Sequence, residues 1–393
     1  MRLATFNVEN LFARAKALDA KDWQVGEPVL AAFATFNQIA GKPRYDDQDK
    51  ATLLGALETL GVLRRNSAGE LRPSPNPFAA WALLRENRGD LLVAPKDRDP
   101  RIVAGGRGDW IGWVELLTEP VDEVAVRMTA RVIDDVGADI LCVVEAEDRP
   151  SLVRFNDELL DGRYGHAMLI DGNDPRGIDV GLLCTDAYDV QWVRSHVDLP
   201  DANSSSRRLF SRDCPIYWLQ RREADAEPLF VLPNHLKSQS FSSGNPDPLR
   251  ARQALAARAI IDGLVANGAK HFVVLGDLNK GPDKDDPTKH PTLEPLFEPG
   301  APLVDAYGLP NFDVGSRPGT FQSCSLRNRL DYILLSPALA ERVTAGGVFR
   351  KGLWGSPANV NPPAPELWTV YPEITAARHA ASDHAAVWVD IDI

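Results

Sequence analysis

The stretch Phe272-Val273-Val274-Leu275-Gly276-Asp277-Leu278-Asn279 decides how this chain is read. Four apolar residues in a row make a strand that is covered on both faces. The glycine after them permits close backbone approach. Asp277 and Asn279 then stand two apart, so both can point into one cavity. A carboxylate there is suited to activate water, and an amide to donate to a developing negative charge. The plain alternative is an Asx turn.

Working outward, the same grammar recurs: an apolar run that ends on polar residues. Ile140-Leu141-Cys142-Val143-Val144 runs straight into Glu145. A carboxylate in that position is costly if buried alone, and a hard divalent cation would offset the cost. Otherwise it emerges into solvent. Phe230-Val231-Leu232-Pro233 leads to Asn234, His235, Leu236, Lys237 and Ser238. His235 and Lys237 share one side of an extended chain, and both can donate to a phosphate. Phe6-Asn7 closes the first strand. Asp331 precedes the apolar run Tyr332–Leu335, and Ser382-Asp383-His384 precedes the last strand. Neighbours on a strand face opposite ways, so a kink must aim Asp383 and His384 together if both act.

Between these signals, short strands are expected at 179–184, 190–195, 216–221, 229–233, 271–275, 331–335 and 386–391. Val121 to Val136 carries apolar residues at helical spacing, and Leu249 to Asn267 forms a helix closed by Gly268. This order predicts an α/β sandwich with mixed sheets. The 393 residues carry 43 Lys+Arg against 55 Asp+Glu, a net charge of −12. That balance argues against a protein that grips nucleic acid by overall charge. The four cysteines, Cys142, Cys184, Cys214 and Cys324, form no CxxC pair and read as free buried thiols. No apolar run approaches the roughly 20 residues of a membrane helix. No signal-peptide pattern opens the chain, so a cytoplasmic protein without membrane insertion is expected. Arg207-Arg208 and Arg221-Arg222 read as solvated faces, with a phosphate-backbone patch as the alternative.

Taken together, Thr5-Phe6-Asn7-Val8, Glu145, Asn234-His235-Leu236-Lys237-Ser238, Gly276-Asp277-Leu278-Asn279, Arg329-Leu330-Asp331-Tyr332-Ile333 and Ser382-Asp383-His384 resemble the metal-dependent endonuclease/exonuclease/phosphatase superfamily. That group includes deoxyribonucleases, AP endonucleases and inositol polyphosphate phosphatases. Arg176-Gly177-Ile178-Asp179-Val180 resembles its bacterial nuclease-like branch. The resemblance implies a four-layer α/β sandwich, with two mixed sheets face to face and flanked by helices. It implies a Mg²⁺ or Mn²⁺ ion held by Glu145, with Asn7 and Asp383 beside it. His235 and His384 would hold the scissile phosphate, Asp277 would orient or deprotonate water, and Asn279 would donate to the phosphoryl oxygen. Asp331 would support a histidine or a second metal, and Arg176, Asn234 and Lys237 would touch substrate.

Two features depart from the family pattern. Val144 stands where a Gln usually precedes the metal-binding Glu. Asn7 and Glu145 are 138 positions apart, so residues 13–120 read as a cap-like insertion within one catalytic domain spanning 1–393. Its core is expected to draw on Trp23, Phe33, Phe36, Trp81, Trp110 and Trp113. A lid that narrows substrate choice is the sharper reading of that insertion. The expected activity is hydrolysis of a phosphate ester, most simply a phosphodiester of DNA or RNA. Hydrolysis of a small or lipid-derived phosphate, or an inactive binding scaffold, are the alternatives.

Overall fold

A computed structural model describes residues 1–18, 23–174, 176–204, 207–223, 226–239, 245–355 and 367–393. The side chain of Trp23, expected in the core of the insertion, lies outside the described residues. The chain divides into two compact units. One joins Met1–Phe12 to most of the chain from Val121 onward, and the other is built on Ala13–Pro120.

The smaller unit packs two helices, Trp23–Ala40 and Asp47–Thr59, with short strand pairs. Asp46 caps the second helix by accepting from the Asp49 amide, while Asp49 accepts in return from Asp46. This capping box fixes the start of the helix. Phe33, Phe36, Leu53, Leu57 and Trp110 fill the core, and Trp81 packs half-buried against it. Trp113 does not join them. It lies on the strand Ile111–Leu116, whose burial alternates, and falls on the exposed face with 51% of its surface open. The period of two along a strand overrides the apolar character of the residue.

In the larger unit, seven strands form one sheet in the order His166–Leu169, Asp179–Cys184, Ile140–Ala146, Arg2–Asn7, Ala386–Ile391, Val343–Phe349 and Phe312–Asp313. Six strands form the second, in the order Tyr188–Arg194, Ile216–Arg221, Leu229–His235, His271–Asp277, Asp331–Leu335 and Val304–Asp305. Both sheets mix parallel and antiparallel pairs. Leu3, Cys142, Val144, Val231, Val273, Leu275, Ile333 and Val389 make one core between them. The helices Glu123–Val136 and Arg149–Leu159 contribute to the core on the outer side of the first sheet. The helix Asp247–Ala266 does so for the second. This is the expected four-layer α/β sandwich. Gly268, just past that last helix, has φ +85°, the left-handed cap its sequence called for. All four cysteines are buried and free.

Strand parity positions the site. Leu3, Val231, Leu275 and Ile333 face the inter-sheet core. Residues an even number of positions along the same strands share that face: Asn7, His235, Asp277 and Asp331. The pattern that buries the apolar residues therefore also delivers the polar ones.

Candidate active site

Register aligns these side chains into rows. In the second sheet His235 lies opposite Asp277, and Asp277 opposite Asp331. In the first, Asn7 lies opposite Val144, one residue before Glu145. The ladder slips between Val144 and Ala146, and Glu145 takes φ +67° at that bulge. Gly276 is required where it stands: a Cβ there would meet the Asn234 carbonyl oxygen at 2.0 Å.

The rows meet. Asn7 Nδ2 donates toward Asp277 Oδ2 at 3.4 Å. His235 Nε2 lies 3.6 Å from both Glu145 Oε1 and Asp277 Oδ2. His384 Nε2 lies 3.9 Å from Asp277 Oδ2 and from Asp383 Oδ1, and its Nδ1 is 2.7 Å from Asp331 Oδ2. Asn279 has φ +57°; its amide N–H donates to Asp277 Oδ1 at 2.8 Å, and its Nδ2 to Asp277 Oδ2 at 3.0 Å. Asn7, Glu145, His235, Asp277, Asn279, Asp331, Asp383 and His384 are thus brought together.

Their charges are uneven. Burial alone would lower the pKa of His384, but the Asp331 carboxylate bonded to it raises that pKa well above the usual value. Burial lowers His235 far below its usual value, and the Arg212 and Arg176 guanidiniums push it further. Burial raises Asp277 and Asp383, helped in each case by Glu145 and Asp331 and opposed by His384. These carboxylates raise one another's energy, and a divalent cation relieves that repulsion. Asp331 Oδ1 is buried without a hydrogen bond. Ligand atoms of Asp277, Asp331 and His384 lie within 4.8 Å of one another. The donor set therefore fits a hard cation. His384 belongs to that group through Nε2 or Nδ1, the latter already bonded to Asp331.

The other expected residues are distributed differently. Asn234 is on the opposite parity from His235, and its Nδ2 donates to the Leu232 carbonyl. The structure does not bring it to the cluster. Lys237 is held by its main chain: its N–H donates to Gln253 Oε1 at 2.8 Å, and its carbonyl accepts from Arg250 Nε at 2.9 Å. Arg176 is engaged by Asp174. Asp174 and Arg212 were missed in the sequence, as was Glu9, which accepts from the Asp383 amide at 3.1 Å. Arg208, Arg221 and Arg222 pair with Asp198, Glu223 and Asp189 at the surface. No described helix is long and apolar enough to cross a membrane.

The family model "Endonuclease/Exonuclease/phosphatase family" matches residues 125–384. No curated protein matches the chain in sequence. Among solved structures, the mannosyl-6-phosphatase Bt3783 of Bacteroides thetaiotaomicron VPI-5482 is 14% identical, over 69% of this chain and 92% of that one, with a TM-score of 0.47. Truncated Caenorhabditis elegans TDP2 is 17% identical over 68% and 90%, at 0.45. The human Nocturnin catalytic domain is 16% identical over 69% and 86%, at 0.46. These likenesses are too remote to speak for substrate, and the family model carries the assignment. The chain belongs to the endonuclease/exonuclease/phosphatase family and is a metal-dependent phosphoester hydrolase.

Proposed function

We propose that the enzyme hydrolyses phosphodiester bonds of DNA or RNA by in-line attack of water, with Mg²⁺ or Mn²⁺ bound at Glu145, Asn7 and Asp383. The observation that carries this reading is the convergence of Glu145, Asp277, Asp331 and Asp383 on two histidines of opposite charge preference. An anionic ester repels hydroxide, so its hydrolysis needs a cation, donors and one base. The metal, when bound, neutralises phosphoryl charge and polarises an oxygen. Asp277, whose raised pKa suits a proton acceptor near neutrality, takes the proton of the attacking water. Asn279 holds Asp277 in place, its backbone N–H and its Nδ2 both donating to that carboxylate while Nδ2 also donates to the Leu236 carbonyl. His384, kept cationic by Asp331, stabilises the charge that grows on the ester. His235, neutral, supplies a hydrogen bond.

The net charge of −12 favours a second reading, a small phosphate ester. Residues 13–120 are the candidate specificity element in either case. Incubation with supercoiled plasmid and with RNA, each with Mg²⁺ and with EDTA, separates the readings when run beside a panel of small phosphoesters. Nicking only with Mg²⁺ supports the first. Metal-dependent turnover of small esters with intact nucleic acid overturns it. Calorimetry with Mn²⁺ should show loss of metal binding in Glu145→Ala; unchanged affinity overturns the ligand assignment.

A further inference from the structure

The bond from His384 Nδ1 to Asp331 Oδ2 joins the two sheets. Asp331 opens a strand of the second, and His384 stands just before the strand Ala386–Ile391 of the first. A short charge-assisted bond weakens steeply when either end moves, so both ends must be held.

Thr320 holds both. It is fully buried, in the irregular segment between the strands Phe312–Asp313 and Asp331–Leu335. Its Oγ1 accepts from the Leu330 amide at 3.1 Å and from the Asp331 amide at 3.2 Å, and it donates to the Asn328 carbonyl at 3.4 Å. A hydroxyl has two lone pairs and one proton, and all three are used. The main chain of Thr320 reaches the other sheet: its carbonyl accepts from the Ala385 amide at 2.8 Å. The next residues continue the seam. Phe321 forms an antiparallel bridge with His384, their ring centroids 4.8 Å apart, and the Gln322 amide donates to the Asp383 carbonyl at 3.0 Å. Arg350 anchors the approach, donating to the Gly319 carbonyl at 2.7 Å.

Register explains why Asp331 needs this partner. The Leu278 amide donates to the Leu330 carbonyl, so Asp277 and Asp331 face each other as a pair without ladder bonds of their own. The Asp331 amide therefore points away from the Asp277 strand, and the Thr320 hydroxyl meets it there. A valine would fill the same space and offer those two buried amides nothing.

We propose that Thr320 is a positioning residue for the hydrolysis: its hydroxyl sets Asp331, its carbonyl sets the residue after His384, and together they fix the bond that aims the His384 ring. This rests on the role given to His384 and Asp331 and extends it. Thr320 acts through the Asp331–His384 bond and not on the substrate. A mere anchor of the segment would change how much enzyme folds, and would leave the turnover of the folded enzyme alone.

The test uses the full chain with Mg²⁺ and bis(p-nitrophenyl) phosphate. Thr320→Val removes the hydroxyl and Thr320→Ser keeps it. Thr320→Val should lower kcat by about thirtyfold with KM within about threefold, while Thr320→Ser stays within about threefold of the wild type in both. In an Asp331→Asn background, Thr320→Val should cost less than about threefold more, because the bond it serves has already lost its charge. Losses that multiply in the double variant overturn the proposal. If Thr320→Val does not fold, Thr320→Cys keeps the shape with a weak acceptor and is held to the same criteria. NMR of the metal-free protein gives a reading without substrate. The His384 Nδ1 proton bonded to Asp331 should resonate far downfield, vanish in Asp331→Asn and Thr320→Val, and persist in Thr320→Ser. Its persistence in Thr320→Val overturns the proposal. Asp331→Asn at the wild-type rate overturns the role of His384 and this proposal together. A loss in Asp331→Asn with none in Thr320→Val overturns this proposal alone.

Discussion

His235 and His384 approach the same carboxylate, Asp277, at 3.6 and 3.9 Å, yet one is held neutral and the other cationic. Burial is common to both and lowers both. The neighbours make the difference: two arginines act on His235, and Asp331 bonds to His384. One residue type takes two charge states because the surrounding charge is divided, cations at one end and carboxylates at the other.

The comparison can be broken at its shared point. Asp277→Asn keeps the shape, removes the proposed base and should lower kcat by about a thousandfold or more. An effect below tenfold in steady-state kinetics would remove Asp277 from the chemistry. Asp331→Asn attacks the cationic side first, through the bond to His384, and also removes one of the charges that raise Asp277 and Asp383. It should lower kcat by roughly a hundredfold, with KM changing less, since the charge on His384 acts mainly as the ester gains charge. A change in KM alone would contradict that role.

A third histidine tests whether the same rule holds away from the reaction. His290 stacks on Phe297 with 3.6 Å between ring centroids, and its Nε2 meets Arg329 Nη2 at 2.8 Å. Burial, then Arg329, lowers its pKa to about 4. The unfolded chain takes up this proton below the ordinary value of about 6.5, while the folded chain resists until about 4. Stability is therefore full above about 6.5 and falls as pH drops through that window, by about 2 kcal/mol between pH 7 and 5. Urea denaturation of the wild type and His290→Gln at both pH values checks it, and the variant should lose this share of the pH dependence. The smallest change sharpens the contrast directly. Arg212→Met should raise the His235 pKa toward its usual value in NMR titration of the metal-free protein, and should leave His384 nearly unmoved.

The strand-end residues were legible because a strand has a period of two and an apolar run makes the polar residue after it conspicuous. The row Asp277–Asp331 was half legible. Both residues stood out, but the antiparallel register that sets them opposite each other, and the bond from Asp331 to His384, belong to pairings across 53 or 54 positions. Asp174 and Arg212 were not legible. They sit in irregular segments, and the ion pair that gives them meaning spans 38 residues. The strand Val343–Phe349 also escaped notice, since Gly346 and Gly347 interrupt its apolar pattern. The fold needs the first of them: a Cβ at Gly346 would lie 2.6 Å from the Phe312 ring. Trp113 shows the opposite failure, where composition promised burial and alternation denied it.

The bulge at Glu145 has a consequence for the way this enzyme changes under selection. A glutamate with φ +67° costs about 1 kcal/mol or more relative to a residue at ease in that conformation. Glycine would relax the backbone and remove the carboxylate proposed to hold the metal. A screen for heat tolerance alone should therefore drift toward Glu145→Gly and return sturdy, inactive variants. Only a screen that also demands turnover would keep the strained residue.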